Sequence, residues 1–212
     1  MPTEVEAKFR ADGPGPLTLL ASEPSLGEAT LGAGSTVTEV DRYIDTVHGL
    51  LADALWACRL RSREGGIRVS LKGPAEVSSR SWLHRRPELE GPATASMDPR
   101  DWPDSEARAL LEVLRQGEPL EERLDLRQRR TERSVIAEGA ALGVLSLDVV
   151  EVRRKGRVLG ELFVVELELS GEGDAETVRV LLGLAESLER RPGLSADART
   201  KLEHALDLLG SR

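Results

Sequence analysis

The sequence is poor in several things at once. It holds a single cysteine, Cys58, so no internal disulfide can form and a disulfide scaffold is excluded; the apolar setting "ALWACRL" favours inert burial of that thiol. Aromatic residues make up only 3% of its 212 positions, too few for the stacking platforms that hold single-stranded nucleic acid. Positive charge is not in excess: the formal net charge of −8 argues against a duplex DNA partner, whose phosphates are normally met by a basic face. No apolar run approaches membrane-spanning length, and the first residues carry acids where a secretory leader has a basic stretch and an apolar core. The expectations are therefore no nucleic acid, no membrane and a cytoplasmic location. None of these exclusions touches a small polyanion.

What is present suffices for a sizeable core, since 40% of the residues are hydrophobic. No repeat, low-complexity tract or long linker divides the chain, so one domain over 1–212 is expected. Strand candidates dominate. The opening "EVEAKFR" ends at "ADGPGP" (11–16), which reads as a turn or loop, and "VTEVDRYIDT" (37–46) carries the branched and aromatic residues of a pleated surface. "LWACRLRSR" and "IRVSLKG" flank "EGG" as a hairpin, and "SWLHRRPELEG" (81–91) reads as a strand in which Pro87 requires an edge or a bulge. After a helix over 101–117, with Asp101 as its cap, come strands over 120–139, 141–153 and 158–171, with "RKGR" as a turn. Amphipathic helices over 174–191 and 195–210 follow. This pattern predicts an α+β, mainly antiparallel fold: a closed barrel or deep sheet with helices packed on it.

The charged residues carry the functional signal. Side chains at i and i+2 of a strand share a face, and the pairs Glu4 with Glu6 (then Lys8), Arg59 with Arg61, Glu88 with Glu90, Arg127 with Arg129, and Glu166 with Glu168 all have that spacing. Arg68, Ser70 and Lys72 form a mixed set, and the residues between, Val5, Ala7, Leu60, Val69, Leu71, Leu89 and Leu167, are apolar. One such pair is an ordinary solvated face. Recurrence on five or six strands changes that: if the apolar side meets helices, the charged faces converge on a water-filled interior or on one side of a sheet, and a closed barrel with a charged lumen satisfies both requirements. Like charges crowded there need opposite partners: a divalent cation for the carboxylates and a polyanion for the Arg and Lys groups. Oxygen donors suit Mg²⁺ or Mn²⁺, whereas His48, His84 and His204 are too scattered for a zinc site. No G-x-x-x-x-G-K-[ST] loop is present, so a triphosphate would be held by side chains.

The sequence resembles the CYTH domains, or triphosphate tunnel metalloenzymes. The resemblance runs from "EVEAKF" through "RYIDT" (42–46), "CRLRSR" (58–63), "RVSLKGP" (68–74), "ELE" (88–90), "LRQRRT" (126–131), "LSLDVV" (145–150) and "VVELELS" (164–170) to "ARTKLEHAL" (198–206), essentially the whole chain. It implies an eight-stranded antiparallel tunnel and metal-dependent action on a triphosphate, most simply hydrolysis of tripolyphosphate. Adenylate cyclisation, thiamine triphosphate hydrolysis and polyphosphate binding without cleavage stay open as alternatives. Carried over by motif position, Glu4, Glu6, Glu166 and Glu168 would hold metal, with Glu6, Glu168 and Lys8 catalytic. Lys8, Arg59, Arg61, Lys72, Arg127, Arg129 and Lys201 would grip phosphate. Glu88, Glu90 and Asp148 match acidic family positions. Departures are Ile44 where many members have an aromatic residue, Val164 where a third alternating Glu is common, and Thr200 where Ser often precedes the Lys. Arg130 is expected to face away from Arg129 and is left out of the site. Taken locally, "RQRRTER" reads equally as a solvated basic run and Lys201 as an ordinary helix-surface lysine.

Overall fold

The computed structural model describes residues 1–171 and 173–210. In chain order the elements are β1 (Thr3–Ala11), α1 (Pro14–Ser22), β2 (Ser25–Leu26), β3 (Ala29–Leu31), β4 (Ser35–Thr46), α2 (Leu50–Asp53), β5 (Ala57–Arg63), β6 (Gly66–Lys72) and β7 (Leu83–Ala93). A 3₁₀ turn (Pro99–Asp101) leads to α3 (Glu106–Leu114), then β8 (Leu120–Ala137), β9 (Ala140–Arg154), β10 (Arg157–Leu169), α4 (Ala175–Glu189), β11 (Leu194–Ala196) and α5 (Lys201–Gly210). Strands pair in the order β8-β4-β5-β6-β7-β1-β10-β9, and a β8–β9 pairing closes the circle. The result is the expected eight-stranded antiparallel barrel. The short β2, β3 and β11 are appended to it.

The barrel is apolar outside and charged inside, because each strand alternates its faces. Val5, Ala7 and Phe9 of β1, with Leu145, Leu147 and Leu167, pack against Leu17 and Leu20 of α1 and Leu181, Leu184, Ala185 and Leu188 of α4. A second outer cluster joins Cys58, Leu60, Val69, Leu71 and Leu89 to Leu51 of α2 and to Ala107 and Leu111 of α3. The third cluster has the opposite sense: Tyr43, Leu124, Leu126, Val150 and Val152 share strand phase with the inward charges and meet Ala205, Leu202, Leu208 and Leu209 of α5. One end of the interior is thus apolar and covered by α5. Among the described residues no helix is long and apolar enough to cross a membrane.

Several local expectations change. Residues 14–16 open α1 in place of a loop, since proline is tolerated in a first helical turn. The helix expected over 101–117 is shorter: Asp101 belongs to the 3₁₀ turn, and Ser105 caps α3 by accepting the Arg108 amide at 3.1 Å. The stretch 195–210 splits, its first residues pairing with β1 as β11. Helix α5 then begins where Thr200 and Glu203 form a reciprocal capping box, Glu203 accepting the Thr200 amide at 2.6 Å and Thr200 Oγ1 the Glu203 amide at 3.2 Å. Pro87 lies inside β7, not at an edge, yet its missing donor costs little because neighbouring β6 ends at Lys72. Its carbonyl accepts the Gly73 amide at 2.9 Å. A Cβ on Gly73 would stand 2.7 Å from Pro87 Cγ and 3.0 Å from Trp56, which is why only glycine fits there. Hairpin turns fall at Gly65 (φ 101°) and at Lys155–Gly156 (φ 48° and 76°), as "EGG" and "RKGR" suggested.

Candidate active site

The charged lumen is a cavity of about 530 Å³. One wall comes from β1, β7 and β10. Their registers put Glu6 opposite Glu168, Lys8 opposite Glu166, and Glu4 opposite Arg86, so residues far apart in the chain face one another across adjacent strands. Arg86 donates from Nε to Glu4 at 2.8 Å and from Nη2 to Glu6 at 3.0 Å. Lys72 pairs with Glu4 and stands 3.3 Å from Glu88, which also accepts the Ser70 hydroxyl at 2.6 Å. Lys8, only 2% exposed, lies 3.6 Å from both Glu6 and Glu166.

The facing wall, from β4, β5 and β8, is built differently. Arg61 donates through Nε and Nη2 to the two oxygens of Asp41, each at 2.7 Å, and Arg59 reaches the same carboxylate at 3.2 Å. Gln128 bridges Glu39 (3.0 Å) and Asp41 (3.1 Å) behind them. Arg130 makes a forked pair with Asp148 at 2.8 and 2.7 Å and continues to Glu166 at 2.8 Å. From α5, Lys201 donates to Asp148 at 2.6 Å and Glu166 at 2.7 Å. The segment before it is tied down: His84 contacts the Asp197 carbonyl at 2.8 Å, and the Asp197 carboxylate meets His204 at 2.9 Å.

These contacts divide the carboxylates electrostatically. Burial alone would raise Asp41, but Arg59 and Arg61 more than reverse it and hold its carboxyl well below the usual range. Burial opposes ionisation of Glu166 too, and Lys201, Lys8 and Arg130 overcome it, leaving it far below normal. Lys8 is held above the ordinary lysine range because Glu6 and Glu166 outweigh its burial. Glu168 goes the other way: burial, then the negative charge of Glu4, push it up to about 7. The charge of Lys72 opposes that rise without cancelling it, and the Glu168 carboxylate makes no side-chain hydrogen bond or ion pair with another described residue.

Of the residues expected at the site, Glu4, Glu6, Lys8, Arg59, Arg61, Lys72, Glu166, Glu168 and Lys201 line this one cavity, as do Glu88 and Glu90. Glu90 sits at the rim, 44% exposed and 3.3 Å from Arg68. Asp148 is fully buried beneath Arg130 and Lys201.

Arg127 and Arg129 do not join them. Both are exposed on the outer face of β8, while Gln128 and Arg130 point inward. The expectation placed the wrong parity inside because it sent the apolar residues outward. At this end of the barrel Leu124 and Leu126 face in, and their phase carries Gln128 and Arg130 into the lumen. Arg86, Asp41 and Glu39 were also missed. The last two stand at spacing two in "TEVDRY", so the rule applied to the other pairs would have found them; Arg86 shares phase with Glu88 and Glu90.

Among the described residues no three His, Cys or carboxylate side chains converge as a closed metal site. The acids are instead turned toward internal cations. The donor set still fits a hard divalent ion: the reachable acids offer only oxygen, and Glu168 is crowded by Glu4 and Glu6 with no cation bonded to it. A Mg²⁺-like ion is commonly held by one or two carboxylates, with phosphate oxygens and water completing its shell.

Comparison with solved structures finds the same fold at low identity. A putative adenylyl cyclase from Hippeastrum, reported to have a dominant triphosphatase activity, is 19% identical with a TM-score of 0.68, over 96% of this chain and 95% of that one. A putative adenylate cyclase from Bacillus halodurans is 17% identical with a TM-score of 0.60, over 96% and 98%. The capping-enzyme triphosphatase of Mimivirus is 10% identical with a TM-score of 0.50, over 89% of each chain. A search of curated proteins finds no significant match. The family model for the CYTH domain matches residues 2–200, and on that match this chain belongs to the CYTH family.

Proposed function

We propose that this protein is a divalent-metal-dependent triphosphatase whose substrate is a short inorganic chain, tripolyphosphate in the first instance. The observation that carries the reading is one cavity in which Lys8, Arg59, Arg61, Lys72, Arg86, Arg130 and Lys201 surround the carboxylate row Glu4, Glu6, Glu166 and Glu168. Pure polyanion binding needs the cations only; the acids would weaken it unless a metal answered them. Tyr43 is the one aromatic residue of the lining, which leaves little surface to grip an adenine or thiazolium ring and favours the inorganic chain.

In this reading Arg59 and Arg61, held by Asp41, bind and orient the phosphates, and Lys8, Arg130 and Lys201 add positive charge where negative charge develops on transfer. One or two of the carboxylates Glu4, Glu6 and Glu166 would hold the divalent ion, which when bound would neutralise phosphate oxygens and acidify a water molecule. Glu168, with a proton affinity near neutrality and no bonded cation, accepts the proton of the attacking water. The apolar end under α5 keeps bulk water from that side.

The test is phosphate release from tripolyphosphate, ATP and thiamine triphosphate with Mg²⁺, with Mn²⁺ and with chelator, assaying cyclic AMP in the ATP samples. Metal-dependent release, fastest from tripolyphosphate, is the expected result. Cyclic AMP would replace hydrolysis by cyclisation, and binding without turnover of all three would make the tunnel a receptor.

A further inference from the structure

Resting on that reading, the two kinds of cation in the tunnel suggest how it takes up its ligand. Three of the arginines are fixed by carboxylates that do not line the cavity, Asp41 holding Arg59 and Arg61 and Asp148 holding Arg130 through a fork, whereas Arg86 lies on the cavity-lining Glu4 and Glu6. Lys201 shares Asp148 with Arg130, but Lys72 has no such backing. Lys72 lies on Glu4 and Glu88 and acts on Glu168, all of which line the cavity, and among the described residues no carboxylate outside the cavity makes an ion pair with it. A guanidinium fork is rigid and planar, whereas an ammonium is a compact charge on a flexible stem. Glu4, a carboxylate placed to ligate a metal, therefore has one oxygen occupied by Lys72 and the other by Arg86.

We propose that Lys72 is a stand-in for the divalent cation: its ammonium neutralises Glu4 and Glu88 until a metal-bound triphosphate enters, when the ion takes the Glu4 oxygen that Lys72 held and Lys72 swings onto phosphate. The exchange keeps the wall near neutrality throughout and moves one positive charge from carboxylate to phosphate. It makes metal and triphosphate bind synergistically, since neither alone can both occupy Glu4 and give Lys72 a new partner.

The test reads metal binding, not turnover. Mn²⁺ is titrated into the protein without phosphate and followed by the electron paramagnetic resonance of free Mn²⁺, for wild type and for Lys72→Met. The expected result is binding at least tenfold tighter in Lys72→Met, because Glu4 and Glu88 lose their internal cation; equal or weaker binding overturns the proposal. If circular dichroism shows that Lys72→Met does not fold, the wild type carries the test. Replacing chloride by sulfate at constant ionic strength gives Lys72 an anion that chelates Mn²⁺ poorly, and Mn²⁺ affinity should rise severalfold; no change overturns the exchange. A third arm adds tripolyphosphate and Mn²⁺ together to wild type. Absence of any ternary complex would remove the functional reading and the exchange with it, whereas a ternary complex with no gain in Lys72→Met or in sulfate removes the exchange alone.

Discussion

On the β4–β5–β8 side of the tunnel, inward arginines are braced from behind by Asp41, Glu39, Gln128 and Asp148, none of which lines the cavity. On the β1–β7–β10 side the order is reversed, and the carboxylates themselves face the cavity with cations lying over them. The braced wall spends its ion pairs on fixing geometry, so its arginines are in place before any ligand arrives. The opposite wall keeps its acids on the cavity side beneath cations and leaves Glu168 crowded, with no cation bonded to its carboxylate. Pre-fixed cations and cavity-facing carboxylates are thereby assigned to different sides of one barrel.

Substitutions can break that division. The largest effect is expected on the reactive wall: Glu168→Gln should lower phosphate release by about 10²–10⁴-fold, the range of a lost general base, and Lys8→Ala should lower it by orders of magnitude, with circular dichroism unchanged. Near-wild-type turnover in both would remove the proposed site. Next comes the braced wall, where Asp41→Ala removes the carboxylate bonded to two partly buried guanidinium groups, leaving Arg61 only Glu39 at 3.4 Å and Arg59 only Glu88 at 3.9 Å, and should cost about 3 kcal/mol in a urea titration. Because folding depresses the Asp41 carboxyl, its contribution is present above the unfolded value of about 3.9 and fades as pH falls below it; the variant should lack that part of the acid limb.

Glu168→Gln should have the opposite sign on stability. The folded protein holds this proton up to about pH 7, whereas the unfolded chain releases it near the ordinary glutamate value of 4.5, so wild-type stability declines between those values as pH rises. The variant should therefore gain about 1–3 kcal/mol at pH 8 and nothing at pH 4, read from thermal melts at the two pH values. The smallest effect belongs to the outer face of β8: Arg127→Ala and Arg129→Ala should stay within about 0.5 kcal/mol of wild type with kcat/KM unchanged. A large loss of activity in either would restore them to the site.

Much of this was legible along the chain. Strand periodicity marked all eight barrel strands, and spacing two brought out the acid row of β1 and β10 together with Arg59, Arg61 and Lys72. What stayed hidden had a common cause. Arg130 and Gln128 follow Leu124 and Leu126 into the interior, and no local feature of "LDLRQRR" says that the barrel is apolar inside at that end. Pro87 reads as an edge residue only until its neighbour is known to stop at Lys72. In "RYIDT", Asp45 accepts the Leu51 and Ala52 amides at 3.0 and 3.2 Å and so organises the start of α2, away from the phosphate-binding cations.

By itself, then, the sequence determined a mainly antiparallel barrel or deep sheet with one charged face and which residue types crowd that face, because strand alternation is a local property that spacing alone reveals; closure into a tunnel came from the family resemblance. The tertiary structure decided which parity of β8 faces inward, which carboxylates brace arginines and which stay open to a ligand. Those outcomes depend on register between strands remote in the chain and on the helix that covers one end, and a charge acquires its role only from the neighbours that such pairing supplies.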